Sequence, residues 1–126
     1  MFGKLILIAL LALPAAVHGA MPPCDGDNAG LTLPDGFCAL VAADVRIGDQ
    51  AALVRHLAVA PNGDVFAALR SPRAEGSRAG GFVALRDTNG DGRLDKQVHV
   101  GRKYSGAGIA LFDGFVYLGL HDRVIR

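Results

Sequence analysis

The residues best suited to hold an ion stand together at Asp87-Thr88-Asn89-Gly90-Asp91-Gly92-Arg93-Leu94-Asp95. Oxygen donors fall at positions one, three, five and nine of this run. Gly92 takes position six, where a calcium loop bends most sharply. A loop of the EF-hand kind closes on a bidentate carboxylate at position twelve. Here that position is Val98, and no helix-forming stretch flanks the run, so the motif is not an EF-hand. Two chemistries suit it. Asp87, Asn89, Asp91 and Asp95 hold calcium as a structural ion, or the same side chains cap the backbone of a hairpin turn.

The remaining chemistry-bearing residues are sparse. His56 follows Arg55, and its ring titrates close enough to neutral pH to act as a base. His99 alternates with Val98 and Val100, the pattern of a surface strand residue. His121 beside Asp122 is an oriented pair only if both project to one side, and neighbours on a strand point apart. Cys24 and Cys38 are the two cysteines. Neither lies in Cys-x-x-Cys-His, which excludes covalent haem, and their spacing does not suit a four-ligand zinc site. In an oxidising compartment they are most simply a disulfide closing a loop of about 15 residues, worth about 3 kcal/mol in the chain-entropy picture.

The elements that must position these residues read as short strands. Residues 21–36 are rich in Pro, Gly, Asp and Asn and favour an extended, turn-rich segment. Phe37 to Ala42 is a short apolar run after the turn signal Leu33-Pro34-Asp35-Gly36, and a strand is expected there. Val41 to His56 has room for one short turn of helix, and Val45, Ile47 and Gly48 argue against more. Leu57 to Ala60, Pro61-Asn62-Gly63-Asp64 and Val65 to Leu69 read as strand, turn and strand, with Asn-Gly tolerating positive φ. After a loop at 71–81, Phe82 to Leu85 is a third strand and Gln97 to Val100 a more exposed fourth.

The pattern then returns. Ile109 to Phe112, Asp113-Gly114 and Phe115 to Leu120 repeat strand, turn and strand, aligned on the first hairpin with one gap at Pro61. A four-strand unit recurring at such a spacing is the mark of a propeller blade. The alternative is a single β-sandwich with two similar hairpins. The expected class is therefore all-β: a partial propeller over 37–126, with one full blade at about 57–100 and a second beginning at about 108. A propeller needs at least about four blades to close, so these residues read as a fragment of a longer protein or as a truncated product.

Several segments, in order, carry a family resemblance: Gly30 to Ala39, Arg55-His56-Leu57-Ala58-Val59-Ala60-Pro61-Asn62-Gly63-Asp64-Val65, Asp87 to Gly92, Gly108-Ile109-Ala110-Leu111 and Asp122-Arg123-Val124. Together they resemble the opening of the sorbosone dehydrogenase-like proteins of the glucose/sorbosone dehydrogenase family. The resemblance implies a six-bladed propeller that binds pyrroloquinoline quinone, usually with calcium. It implies an oxidoreductase that oxidises a sugar hydroxyl or sugar aldehyde by hydride transfer to the quinone and passes electrons to an external acceptor such as a cytochrome. The family's main catalytic histidine lies on a later blade, so no catalytic residue is assigned. In propeller geometry the start of the first strand and the loop between the second and third share the ligand face. That groups Arg55, His56, the loop 71–81 with Arg73 and Arg78, Lys103 and Arg123. Arg55, His56, Lys103 and Arg123 are the candidates for contact with the tricarboxylated cofactor, since arginine grips a carboxylate through two parallel hydrogen bonds. The Asp87–Asp95 turn falls on the opposite face.

Compartment and charge complete the reading. Lys4, the apolar run Leu5 to Leu13, Pro14 and small residues to Ala20 have the layout of a secretory signal peptide over 1–20. The run is short of the roughly 20 residues a spanning helix needs, so no stable membrane span is expected after cleavage, and the protein is expected in the periplasm or secreted. Loss of Lys4, one of 13 basic side chains, leaves basic and acidic groups equal at the 12 Asp and Glu. That balance gives no electrostatic case for nucleic acid. Two other functions stand beside the sugar dehydrogenase: a non-enzymatic secreted propeller that binds ligands or proteins, and an inactive remnant.

Overall fold

A computed structural model describes residues 23–70 and 80–126. The expected signal peptide and the loop carrying Arg73 and Arg78 lie outside the described residues. What is described is all-β, apart from a single 3-10 turn at Asn28–Gly30.

Three antiparallel sheets follow one another along the chain. The first is a small hairpin of β1 (Arg46–Ile47) and β2 (Gln50–Ala51). The second is a four-stranded meander of β3 (Val54–Val59), β4 (Val65–Leu69), β5 (Gly81–Arg86) and β6 (Lys96–Val100), hydrogen-bonded in that order. The third contains β7 (Gly108–Phe112), β8 (Phe115–Gly119) and β9 (Val124–Ile125). Each strand from β3 to β8 coincides, to within a few residues, with an apolar run bounded by turn residues.

The period of two sorts the meander into two apolar faces. Val65, Ala67 and Leu69 of β4 share one face with Val83 and Leu85 of β5. This is the densest part of the molecule: Ala67, Leu69, Val83 and Leu85 are buried, and Ala43, Val45, Ile47, Ala52 and Leu94 pack against them. The hairpin β1–β2 is therefore a cover for one face of the meander. The opposite face carries Phe66 and Phe82, whose ring centroids are 6.0 Å apart, and the fully buried Ala68. The third sheet covers this side. Leu111 and Val116 line a hollow with Phe66, while Val116, Leu118 and Ile125 line another with Phe82. β7 lies beside β3, so the two sheets stack with their first strands together.

Three local differences from the sequence reading have clear causes. Phe37 to Ala42 forms no strand. Its backbone is claimed instead by the N-terminal loop: Ala39 N–H donates to Asn28 Oδ1 at 3.2 Å, Ala39 C=O accepts from Asp25 N–H at 2.8 Å, and Val41 N–H donates to Asp25 Oδ2 at 2.7 Å. Residues 41–56 hold the β1–β2 hairpin and no helical turn. The turn after β3 is a five-residue loop in which Gly63 alone takes positive φ, and Asn62 Oδ1 accepts from Asp64 N–H at 3.1 Å. The Asp113-Gly114 turn is the two-residue type, with φ of 48° and 75° in turn, and it joins Phe112 directly to its partner Phe115.

Cys24 and Cys38 are bonded, with Cα atoms 5.9 Å apart. The bond closes the loop whose Asp25 and Asn28 hold the segment leading to β1. Two changes measure these contributions. Leu69→Ala should cost about 2–5 kcal/mol in urea unfolding, whereas Phe37→Ala, at a side chain 71% exposed, should leave the midpoint nearly unchanged. Replacing both cysteines by serine should cost about 3 kcal/mol. Equal midpoints for native and serine forms, with no disulfide-linked peptide in an unreduced digest, would remove the crosslink from the fold.

Candidate functional site

Antiparallel alternation decides which residues share an end of the sheets. The beginning of β3, the ends of β4 and β6, the beginnings of β5 and β7, and the segment 120–123 all lie at one end. Arg55, His56, Lys103 and Arg123 are thus brought to the same end, as the strand order requires. They are not brought into one cluster. Arg55 and His56 lie within β3, not in a loop before it, beside the register shift between Val54 and His56, and both are exposed.

Lys103 Nζ stands 5.1 Å from the ring centroid of Tyr104. Arg123 is held by Asp122, which raises the Arg123 pKa: the Asp122 carboxylate accepts from Arg123 Nε at 3.0 and 3.1 Å and also from Nη2. Asp122 therefore pairs with Arg123 and not with His121. The same hydrogen bonds pull the Asp122 pKa below its ordinary value. An exposed pair of this kind is held weakly, so Arg123 can exchange Asp122 for another carboxylate.

The connector from β6 to β7 presses tightly on the start of β5. Gly80 N–H donates to the Arg102 carbonyl at 3.1 Å, and Gly81 N–H donates to the Tyr104 carbonyl. A Cβ at Gly80 would overlap the Tyr104 carbonyl oxygen, and one at Gly81 would overlap that of Val100. The glycine pair is what lets Lys103 and Tyr104 cross the sheet end. His99 belongs to this junction. It is half-buried on the covered face opposite Val83, not a surface strand residue, and its Nε2 lies 2.6 Å from the Gly80 carbonyl. The Nδ1 atom is buried with no partner among the described residues.

The opposite end carries the Asp87–Asp95 turn. Asp87 accepts from the N–H groups of Asn89 (3.1 Å), Gly90 (2.7 Å) and Gly92 (2.8 Å). Asn89 Oδ1 accepts from Asp91 N–H at 3.1 Å, and its Nδ2 donates to Asp91 Oδ2 at 3.0 Å. Asp91 Oδ1 accepts from Arg93 N–H at 2.8 Å. Asp95 accepts from Thr88 N–H and hydroxyl at 2.8 and 2.5 Å. The side chains expected to ligate calcium are thus engaged in capping the turn's own backbone. Among the described residues no three acidic, histidine or cysteine side chains gather as a cation site.

Two ion pairs that sequence spacing does not reveal brace this end. Arg86 Nε and Nη2 grip Asp64 at 2.7 and 2.5 Å, joining the β3–β4 turn to the end of β5. Arg93 donates to the Val41 carbonyl at 2.8 Å and to Asp25 at 2.5 Å, tying the calcium-like turn to the disulfide loop. Val65 pairs with Leu85 in the β4–β5 register, and this pairing is what makes Asp64 and Arg86 neighbours. Only a correct pairing of the two strands would have found it.

Comparison with protein-family models, curated proteins and solved structures returns no match. No helix among the described residues is long and apolar enough to cross a membrane.

The braced end makes a pH prediction. Arg86 holds the Asp64 pKa down at about 2. The Gly92 N–H and its neighbours lower that of Asp87, and Thr88 lowers that of Asp95. A carboxylate whose folded pKa is depressed stabilises the fold fully above its unfolded value of about 4 and loses that contribution as pH falls through the folded value. Urea midpoints should therefore decline between about pH 4 and pH 2. In Asp64→Asn the midpoint should be lower at neutral pH and the acid decline shallower. An unchanged slope in that variant would show that Asp64 is not a coupled group.

Proposed function

We propose that this chain is the opening of a quinone-dependent sugar dehydrogenase of the glucose/sorbosone dehydrogenase type, built as a β-propeller and exported to the periplasm. The observation that carries the reading is the stacking of two successive antiparallel meanders with β3 and β7 side by side. Successive propeller blades stack in this way around a central axis. The order of family-like segments adds the chemistry. The disulfide fits an oxidising compartment.

In this reading the end of the sheets that carries Arg55, Lys103 and Arg123 faces pyrroloquinoline quinone. The quinone supplies hydride acceptance from a sugar hydroxyl or sugar aldehyde, and an external acceptor such as a cytochrome takes the electrons. The chain's own part is binding. The guanidinium groups of Arg55 and Arg123 and the Lys103 ammonium pair with cofactor carboxylates, and Arg123 gives up Asp122 to do so. His56 lies at the same end, where it can touch the cofactor or substrate. Calcium belongs to the reading as a structural ion at Asp87, Asn89, Asp91 and Asp95. It would have to share carboxylate oxygens that already accept backbone hydrogen bonds, so binding is weak, on the order of 0.1–1 mM.

One observation favours a non-enzymatic binding module or an inactive remnant. With Asp122 paired to Arg123, neither exposed histidine at the cationic end, His56 or His121, is hydrogen-bonded to a carboxylate among the described residues.

Expressed alone, residues 21–126 should show no dye-linked oxidation of glucose or sorbosone with quinone and calcium supplied, since two stacked sheets cannot enclose the reaction. They should still perturb the absorption of pyrroloquinoline quinone on titration, and Lys103→Ala with Arg123→Ala should abolish that change. Turnover above a no-protein control would overturn the first statement. A quinone spectrum indifferent to the chain would overturn the cofactor assignment. Calorimetry giving the same calcium heat for the chain and for Asp91→Ala would remove the structural ion.

A further inference from the structure

The same three residues, Asn-Gly-Asp, build two of the turns, at 62–64 between β3 and β4 and at 89–91 between β5 and β6. Both take the same local form. Asn62 Oδ1 accepts from Asp64 N–H at 3.1 Å, and its Nδ2 donates to Asp64 Oδ2 at 3.0 Å. Asn89 and Asp91 repeat the two bonds at 3.1 and 3.0 Å. The glycine between them is engaged as well. Gly63 N–H donates to the Ala60 carbonyl at 2.9 Å, and Gly90 N–H donates to Asp87 Oδ1 at 2.7 Å. Each carboxylate is anchored in turn, Asp64 by Arg86 and Asp91 by the Arg93 N–H at 2.8 Å. Both asparagines are exposed, and a Cβ on Gly63 or Gly90 would meet nothing within 4 Å. The two asparagines are therefore restrained by hydrogen bonds and not by burial.

Asn-Gly sequences lose side-chain ammonia spontaneously, because glycine has no side chain to hinder attack by its own nitrogen. The glycine nitrogen gives up its proton and bonds to Asn Cγ. The Cγ–Nδ2 bond breaks, and Nδ2 leaves as ammonia with that proton. The succinimide ring then takes up water and opens to aspartate or isoaspartate. We infer that the two Asn-Gly-Asp turns block this ring closure at Asn62 and Asn89, and that the aspartate two residues on is the lock in each. The side-chain amide is held at both its oxygen and its nitrogen, so it is not free to turn its face to the glycine nitrogen. A reaction between neighbouring groups is slowed steeply when that geometry is withheld. The glycine N–H that has to be lost is already donated. At Gly90 the acceptor is a carboxylate, and removing the proton would set a negative nitrogen against a negative oxygen. The locks preserve more than the turns. Isoaspartate adds a methylene to the backbone, and at Asn89 it would shift Arg93 from Asp25 and the Val41 carbonyl. The inference does not depend on the sugar dehydrogenase reading and needs no bound ion.

The test incubates the purified chain at mildly alkaline pH in a chelating buffer, with and without guanidinium chloride. Aspartate and isoaspartate formed at Asn62 and Asn89 are followed by peptide mass spectrometry, and each folded rate is compared with the denatured rate of the same site in the same variant. Both asparagines should react at least about tenfold more slowly in the folded chain. Asp91→Ala, at an exposed side chain bonded only within its own turn, should raise the folded rate at Asn89 by about tenfold and leave Asn62 slow. Asp64→Ala should do the reverse, and in each variant the site still locked reports that the chain is folded. Folded rates equal to the denatured ones in the native chain would overturn the inference, as would an Asn89 rate unmoved by Asp91→Ala. Acceleration at both sites in Asp91→Ala would also overturn it, since protection would then belong to the fold as a whole and not to each turn.

Discussion

The fold depends on one constraint: the four-stranded meander is apolar on both faces, and each face has to be covered by something the chain itself provides. Leu69, Val83 and Leu85 on one side, and Phe66, Ala68 and Phe82 on the other, make the central strands β4 and β5 apolar on both faces, while β3 and β6 at the edges are largely exposed. A half-polar antiparallel sheet could stand with one side in water; this one cannot. The two coverings differ in kind. The β1–β2 hairpin with Ala43, Val45, Ile47 and Ala52 covers the first face, and a second sheet covers the other. The strapping of residues 24–45 by the disulfide, Asp25 and Arg93 follows from this. A cover made of two-residue strands has little ladder of its own, so it is held by side-chain bonds from outside.

The same constraint explains what the sequence made legible. Strands β3 to β8 announce themselves locally, because each is a short run containing apolar residues whose ends are turn residues, and β4 and β5, the most buried, are apolar throughout. The two hairpins could be aligned for the same reason. Phe37 to Ala42 has the same texture and is not a strand. Its backbone partners, Asp25 and Asn28, lie well upstream and act through side chains, which no window of hydrophobic periodicity contains. His99 misleads in the opposite way. Alternation with two valines marks it as the solvent side of an edge strand, but the valines are the exposed side and the histidine turns inward to the Gly80 carbonyl. Period alone cannot say which face of an edge strand is covered.

The candidate site was legible as placement and not as contact. Strand order alone sends Arg55, His56, Lys103 and Arg123 to one end and the Asp87–Asp95 turn to the other, so any reading with the correct hairpins reaches that division. The pairings within each end are a different matter. Asp122 had two neighbours to choose between in sequence, His121 and Arg123, and it pairs with Arg123, whose bidentate geometry exceeds what an imidazole offers. Asp64 and Arg86 meet only because the β4–β5 register places Val65 against Leu85.

The acidic turn joins the covered core to the segment that covers it. Its carboxylates serve as caps, and capping leaves Arg93 projecting toward the disulfide loop, where it binds Asp25 and the Val41 carbonyl. Leu94 follows it, giving its N–H to the Ala42 carbonyl at 2.6 Å and its side chain to the core beneath β1–β2. A turn whose backbone is fixed by Asp87, Asn89 and Asp91 can aim two consecutive residues at the cover strap with little further loss of entropy. A floppy hairpin loop could not. The residues that look like an ion site by spacing are, in this arrangement, the means by which the β5–β6 connection clamps the N-terminal segment over the apolar face that most needs it.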